Sequence, residues 1–165
     1  MKVFDDLLHR FRKPETGQRR LTLCEVSQSE DVIQGTEFVY HILDADSGVQ
    51  IGRMELRLGH DKAIEFLGNV GYSIRPQFRG HHYAAAACRL LAPIAQKKGM
   101  DYVTITCDTD NTASRKTIES LGAKFLGTLQ RQVRLGVGQS YVHEKYNYRW
   151  ELTDKQPPAA GEANG

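Results

Sequence analysis

The stretch "GYSIRPQFRGHHYAAAACRLL", residues 71–91, collects the side chains best suited to chemistry. Arg75, Arg79, His81 and His82 surround Gly80, and a run of alanines follows at once. Between Glu65 and Asp101 the chain has no Asp or Glu. A helix opening at Gly80 presents free N–H groups and the positive end of its dipole to whatever lies before it. Glycine lets a ligand approach the backbone closely. A strand, a glycine turn and a basic helix N-terminus are the parts of a phosphate or pyrophosphate cradle. The plainer reading is a strand-to-helix turn with a solvated basic face, and the residues alone leave both open. The turn is not a dinucleotide fingerprint, lacking GxGxxG, nor a Walker A loop, lacking GxxxxGK[ST]. Neighbouring histidines on a helix do not face one point, so His81 and His82 predict no metal site.

The elements that must position this turn follow from periodicity. Phe4, Leu7, Leu8 and Phe11 mark an N-terminal helix over residues 1–13, which ends before Pro14. "RRLTLCEV", "EFVYHILD" and "VQIGRMELRL" read as strands, the last two joined at "ADSG". "AIEFLGNVGYSI" reads as a fourth strand leading into the basic turn. "GHHYAAAACRLLAPIAQKKG" is a helix with Gly99 at its end and Pro93 as an interior misfit. "DYVTITC" is a β-branched strand. "NTASRKTIESLG" is a helix capped by Asp110 or Asn111 and closed at Gly122. A last hairpin, Lys124 to Leu152, places Phe125, Leu129, Val133 and Leu135 on one face of its first strand. Val142, Tyr146, Tyr148, Trp150 and Leu152 share one face of its second. Residues 153–165 are rich in Pro, Gly and Ala and predict a disordered tail.

Together these elements predict one domain over residues 1–152, of α/β (α+β) class. Its sheet is mixed, mostly antiparallel and twisted, with about six to seven strands, a central parallel pair and flanking helices. The chain has 165 residues, enough for one core. Its 22 basic and 20 acidic residues leave a net charge of +2, which argues against a nucleic-acid or membrane partner. Cys24, Cys88 and Cys107 are odd in number and widely spaced. They predict reduced thiols in a cytoplasmic protein. "MKVFDDLLHRF" carries charges throughout and does not read as a signal peptide.

Two motifs carry a resemblance. "YSIRPQFRGHHYAAAA" resembles motif A of the GNAT acetyltransferase superfamily, [Gln/Arg]-x-x-Gly-x-[Gly/Ala], with Gln77, Gly80 and His82 at the signature positions. "CDTDNTASRKTIESLGAKFLG" resembles its motif B, Asn-x-x-Ser before Leu-Gly and a strand. The likeness leans toward the branch of ribosomal-protein N-terminal acetyltransferases and uncharacterised predicted acetyltransferases. It implies a GNAT-like fold that moves acetyl from acetyl-CoA to a primary amine, by direct attack in a ternary complex and with no metal. By the same carry-over, backbone groups of Ser73 and Ile74 would pair with the pantetheine arm. Phe78, Arg79, Gly80, His81, His82 and Tyr83 would hold the pyrophosphate. Asn111 and Ser114 would lie beside the pantetheine and thiol.

The sequence departs from the family at several points. The family's frequent Tyr, seven residues after the motif B Asn, is Ile118 here. That leaves Ser114 as donor to the leaving thiolate, with Tyr83 and Tyr146 as substitutes. The family's Glu before Gly-Tyr is Asn69, which could hold a water. Glu65, read on the same strand, is the nearest carboxylate. Glu55, His143 and Glu144 fall on strands that could line the acceptor groove. Only "SQSEDVIQGT" separates the first two strands, too little for the family's two acceptor-side helices. Cys88 and Cys107 read as core rather than as an acyl carrier. The rival function is a non-catalytic acyl-CoA-binding module. The last hairpin could also join two copies in a homodimer.

Overall fold

The computed structural model describes residues 19–31 and 35–152. The expected N-terminal helix and the expected tail lie outside these residues. Strands β1 (Leu21–Asp31), β2 (Gly35–Asp44), β3 (Gln50–Arg57) and β4 (Val70–Ile74) form one antiparallel sheet in that order. Strands β5 (Tyr102–Asp108), β6 (Lys124–Gly136) and β7 (Gln139–Glu151) form a second sheet, ordered β5-β7-β6. Helices α1 (Lys62–Leu67), α2 (Tyr83–Lys97) and α3 (Thr112–Ser120) connect them.

The mixed, mostly antiparallel class with flanking helices is as the sequence reads. The central pair differs. Instead of a ladder, β4 and β5 are tied at one point, where the Asn69 N–H donates to the Thr104 carbonyl at 2.7 Å. The approach is close enough to require glycine next door. A Cβ on Gly68, whose φ is +81°, would stand 3.0 Å from the Thr106 nitrogen. Beyond this root the two strands belong to different sheets, so a gap opens between them.

Alternation on both sheets feeds one core. Tyr40, Ile42, Met54, Leu56 and Val70 join Val103, Ile105 and Ile118 beneath Ala87, Cys88, Leu91 and Ala95 of α2. Alanine gives α2 its propensity and lets the helix lie close to the strands. The helix runs through Pro93, which forgoes one backbone hydrogen bond. Asn111 caps α3, its Oδ1 accepting the Ser114 N–H at 3.0 Å.

Three expectations change. Residues 62–67 are a helix, not the start of the fourth strand, because Asp61 Oδ1 accepts the N–H groups of Ala63 and Ile64 and nucleates it. Residues 27–31 and 35–36 extend β1 and β2, so no helix stands between those strands among the described residues. On β6, register shifts between Phe125 and Gly127 and reverse the parity. Phe125 packs on Tyr146 and Tyr148, whereas Leu129 lies opposite Lys145 on the other face. Residues of β6 and β7 beyond the β5 pairing form an arm that exposes Leu135, Val137, Tyr141 and Val142.

Candidate functional site

Around the place where β4 and β5 part stand three of the segments that the sequence singles out: β4, the turn before α2 and the start of α3. Along β3 and β4 the Arg57 N–H donates to the Asn69 carbonyl at 2.7 Å, and the Arg75 N–H to the Ile51 carbonyl at 2.9 Å. Hydrogen-bonded pairs alternate with non-bonded ones in an antiparallel ladder. Gly71 and Ser73, paired with Glu55 and Arg53, therefore turn their backbone groups toward β3. Val70, Tyr72 and Ile74 turn theirs into the gap. Of the two expected pantetheine contacts, Ile74 faces the gap and Ser73 does not.

From Ile74 the chain enters a 3-10 turn, Pro76–Phe78, and reaches Gly80 with φ +85°. Nothing lies within 4 Å of where a Gly80 Cβ would be, so there is open space before α2. The N–H groups of the first turn of α2 border that space. Arg79 folds back, Nε donating to the Ile74 carbonyl at 2.9 Å. His81 and His82 are exposed. Tyr83 is not: its ring is 6% exposed, and its hydroxyl accepts the Arg19 N–H at 3.5 Å. The Arg19 guanidinium also lies 5.6 Å from the centre of the half-buried Phe78 ring. Phe78 and Tyr83 thus shape the turn from beneath.

His82 is the one described non-glycine residue at positive φ, with φ 58° and ψ 23°. It caps α2 by position but makes no side-chain cap bond. This conformation suits the Gly of the signature and strains a side chain.

Opposite the turn, the Tyr72 hydroxyl is 2.8 Å from Ser114 Oγ. Burial pushes the Tyr72 phenol upward, so it stays protonated. Sequence reasoning passed over Tyr72. Its signal is parity: Val70, Tyr72 and Ile74 share one side of β4, the side toward α2 and α3. Ile118, where the family often has Tyr, is fully buried in the core.

The expected proton acceptors fall apart in space. Asn69 is fully buried and saturated. Its Nδ2 donates to the carbonyls of Arg57 at 2.9 Å and Gly59 at 2.7 Å. Its Oδ1 accepts the Thr104 N–H at 2.8 Å and hydroxyl at 2.9 Å. No lone pair or N–H is left to hold a water. Glu65 is on α1 and exposed, not on β4. Glu55 is held between Arg53 at 3.2 Å and Arg57 at 2.8 Å, over Gly71. His143 and Glu144 point to opposite faces of β7. His143 Nε2 meets Asp108 Oδ1 at 2.7 Å. Glu144 and Tyr146 line an open groove of ≈ 590 Å³ with Thr109, Asp110, Thr128 and Gln130. Burial pushes the Cys88 thiol up to about 12 and raises that of Cys107, so neither is a ready nucleophile. No group of three or more His, Cys, Asp or Glu among the described residues is placed to hold a metal ion. No helix there is long and apolar enough to cross a membrane.

A gapped pair of strands, a basic glycine turn and a helix start on one side, and an Asn-capped helix on the other, define an acyl-CoA transferase type of fold. The family model for the acetyltransferase (GNAT) domain matches residues 5–124, and the chain belongs to that family. Among solved structures it is similar to ribosomal-protein-S5-alanine acetyltransferase from Vibrio fischeri, at 16% identity and TM-score 0.55. That match covers 73% of this chain and 64% of the other. RimJ from Mycobacterium smegmatis, solved with CoA-disulfide, is 18% identical with TM-score 0.54, over 70% of this chain and 53% of that one. The protein yncA from Salmonella typhimurium, solved with its cofactor acetyl-CoA, is 17% identical with TM-score 0.52, over 76% and 70%. The chain thus spans just under two thirds of the Vibrio protein and about half of RimJ. A comparison with the curated proteins returns no match.

Proposed function

We propose that this chain transfers acetyl from acetyl-CoA to the primary amine of a small molecule or a protein N-terminus, by direct attack in a ternary complex. The observation that carries this reading is the open space before α2. Free N–H groups, Gly80 and several basic side chains border it, and the chain has no carboxylate from residue 66 to residue 100. These residues fit a diphosphate. Acetyl-CoA supplies an activated thioester; the protein aligns and polarises it.

Residues Gly80 to Tyr83 hold the pyrophosphate through the backbone N–H groups of the turn and of the first turn of α2, with Arg79, His81 and His82 at the rim. The gap-facing N–H and C=O groups of Val70 and Tyr72, with the N–H of Ile74, take the pantetheine arm as an added strand. One of these N–H groups polarises the thioester carbonyl. The side-chain amide of Asn111 keeps its Nδ2 for the pantetheine, because only Oδ1 serves the helix cap. Tyr72 and Ser114 together hydrogen-bond the leaving thiolate, a phenol reaching from β4 to α3 near the position where Ile118 supplies none.

Titration with acetyl-CoA, desulfo-CoA and ATP tests the cradle. Micromolar affinity for the CoA compounds, about −8 kcal/mol, is expected, with no comparable affinity for ATP. Gly80→Glu should abolish it, since φ +85° disfavours a side chain and the new charge opposes phosphate. Unchanged affinity in that variant would remove the assignment. CoA release with amines then separates an enzyme from a non-catalytic CoA-binding module.

A further inference from the structure

We infer that Glu55 receives the acceptor: its Oε2 accepts an N–H of the attacking amine at the outer mouth of the gap. This rests on the transferase reading above. On β3, Ile51, Met54 and Leu56 face the core, while Arg53, Glu55 and Arg57 face the other way. Ser73 and Gly71 of β4 pair with Arg53 and Glu55 and share that outer face. A Cβ on Gly71 would stand 2.6 Å from Glu55 Oε2, so the carboxylate reaches across from β3 and lies on the backbone of β4. Gly71 is not among the glycines at positive φ, so it is the carboxylate that leaves no room for a side chain there. Its neighbours Val70 and Tyr72 are the residues whose backbone groups face the gap, just past the tie of Asn69 to Thr104.

The carboxylate is fixed in this place. Arg53 Nε lies 3.2 Å from Oε1, and Arg57 Nη2 lies 2.8 Å from Oε2. Arg57 is shared: its Nε is 2.8 Å from Glu37 Oε2, and its Nη1 donates to the Gly68 carbonyl at 3.4 Å. Two partners leave a carboxylate further lone pairs. The Glu55 side chain is 25% exposed, with Arg53 and Ser73 exposed beside it, so an amine reaches it from solvent.

A pantetheine arm added as a strand lies about 4.8 Å from β4. An amine nitrogen held at about 2.9 Å from a carboxylate on β4, and poised about 3–3.5 Å from the acetyl carbon, spans that distance. Tyr72 and Ser114 meet on the opposite face, between β4 and α3. The two substrates therefore approach from different sides of the sheet, as a ternary complex requires. In the step, the amine nitrogen bonds to the acetyl carbon, its proton passes to solvent at the outer mouth, and the carbon–sulfur bond breaks. The thiolate takes a proton from the Tyr72–Ser114 hydroxyls, which solvent restores. Glu55 orients the nitrogen and takes no proton. Amide and thiol are the products, with no oxidant or further reactant.

The test follows CoA release from acetyl-CoA with phenylethylamine and trialanine as amine probes, in wild type, E55Q and G71A. Wild type should turn over at least one probe. E55Q should lose about ten- to a hundredfold in kcat/KM for the amine, with acetyl-CoA affinity and melting temperature unchanged. G71A keeps Glu55 but pushes its carboxylate off β4, and kcat/KM should fall in the same direction. Turnover in E55Q within twofold of wild type overturns the assignment alone. Wild-type kinetics in G71A overturn the placement over Gly71. A loss of acetyl-CoA affinity or melting temperature that matches the loss of turnover overturns it too, since a merely structural ion pair would behave that way. A wild type inert toward both probes overturns the acceptor assignment and the transferase reading together.

Discussion

His82 shows most directly how a single residue can fit a motif and strain it. It stands at the last signature position of motif A and adopts φ 58°, the left-handed region. For a residue with a Cβ this costs about 1–2 kcal/mol, while glycine's extra chain freedom offsets about 0.5–1 of any gain. His82→Gly should therefore raise stability by about 0.5–1 kcal/mol, read by thermal denaturation, and leave acetyl-CoA binding intact. A lower melting temperature would mean that the side chain makes a contact worth more than the strain. The signature was legible here because it is local. The Tyr72–Ser114 contact was not, since a strand and a helix far apart in sequence must first be brought together. Asn69 was legible as a departure from the family, but not as a saturated amide, because all four of its partners come from other segments.

That amide acts between elements. Asn69 joins the ends of β3 and β4 to β5, and its backbone N–H makes the tie from which the two sheets diverge. Asn69→Ala would strand buried donors and acceptors on both sides and should cost about 3–5 kcal/mol. Denaturant melts would show it, along with weaker acetyl-CoA binding as the gap loses its root. A loss under about 1 kcal/mol would show that the sheets are held elsewhere. The neighbouring α1 was misread for a plain reason. "AIEFLGNVGYSI" is an apolar run that periodicity alone cannot divide between helix and strand. Asp61 before it and Gly68 within it were the available signals, a cap and a stop. Placing residues 63–67 on a strand put Glu65 on the same strand as Asn69; the helix puts it in solvent and brings Phe66 against His143 instead. The arm of β6 and β7 carries a similar lesson, because one inserted residue near Leu126 turns Phe125 to the opposite face from Leu129.

At the scale of the whole molecule, Asp44 at the end of β2 is expected to contribute to acid stability. Its carboxyl is held down to about 2, first by the Arg19 guanidinium at 2.6 Å and then by the N–H groups of Ser47 and Asp46. The folded state thus binds this proton less readily than the unfolded chain, whose value is the ordinary 3.8. The resulting stability is complete above the unfolded value and disappears as pH falls through about 2. Asp44→Asn should flatten the stability–pH curve over that window and, at neutral pH, cost about 1–3 kcal/mol for the lost charge-assisted bonds. Equal acid sensitivity in the variant would place the responsible carboxyl elsewhere.

The sequence by itself determined the family, the class and order of most elements, and the basic glycine turn before α2. These rest on local rules: alanine and cap chemistry for α2 and α3, alternation for the strands, and glycine with basic residues before a helix. Only the tertiary structure decided which backbone groups face the gap and how Tyr72 reaches Ser114. It also decided which candidate proton acceptors are already committed: Asn69 to four hydrogen bonds, Glu55 to two arginines and His143 to Asp108. Those properties depend on register, on the side of a pleat and on contacts between segments distant in sequence. One bulge, or one short helix in place of a strand, reverses them without changing the motifs.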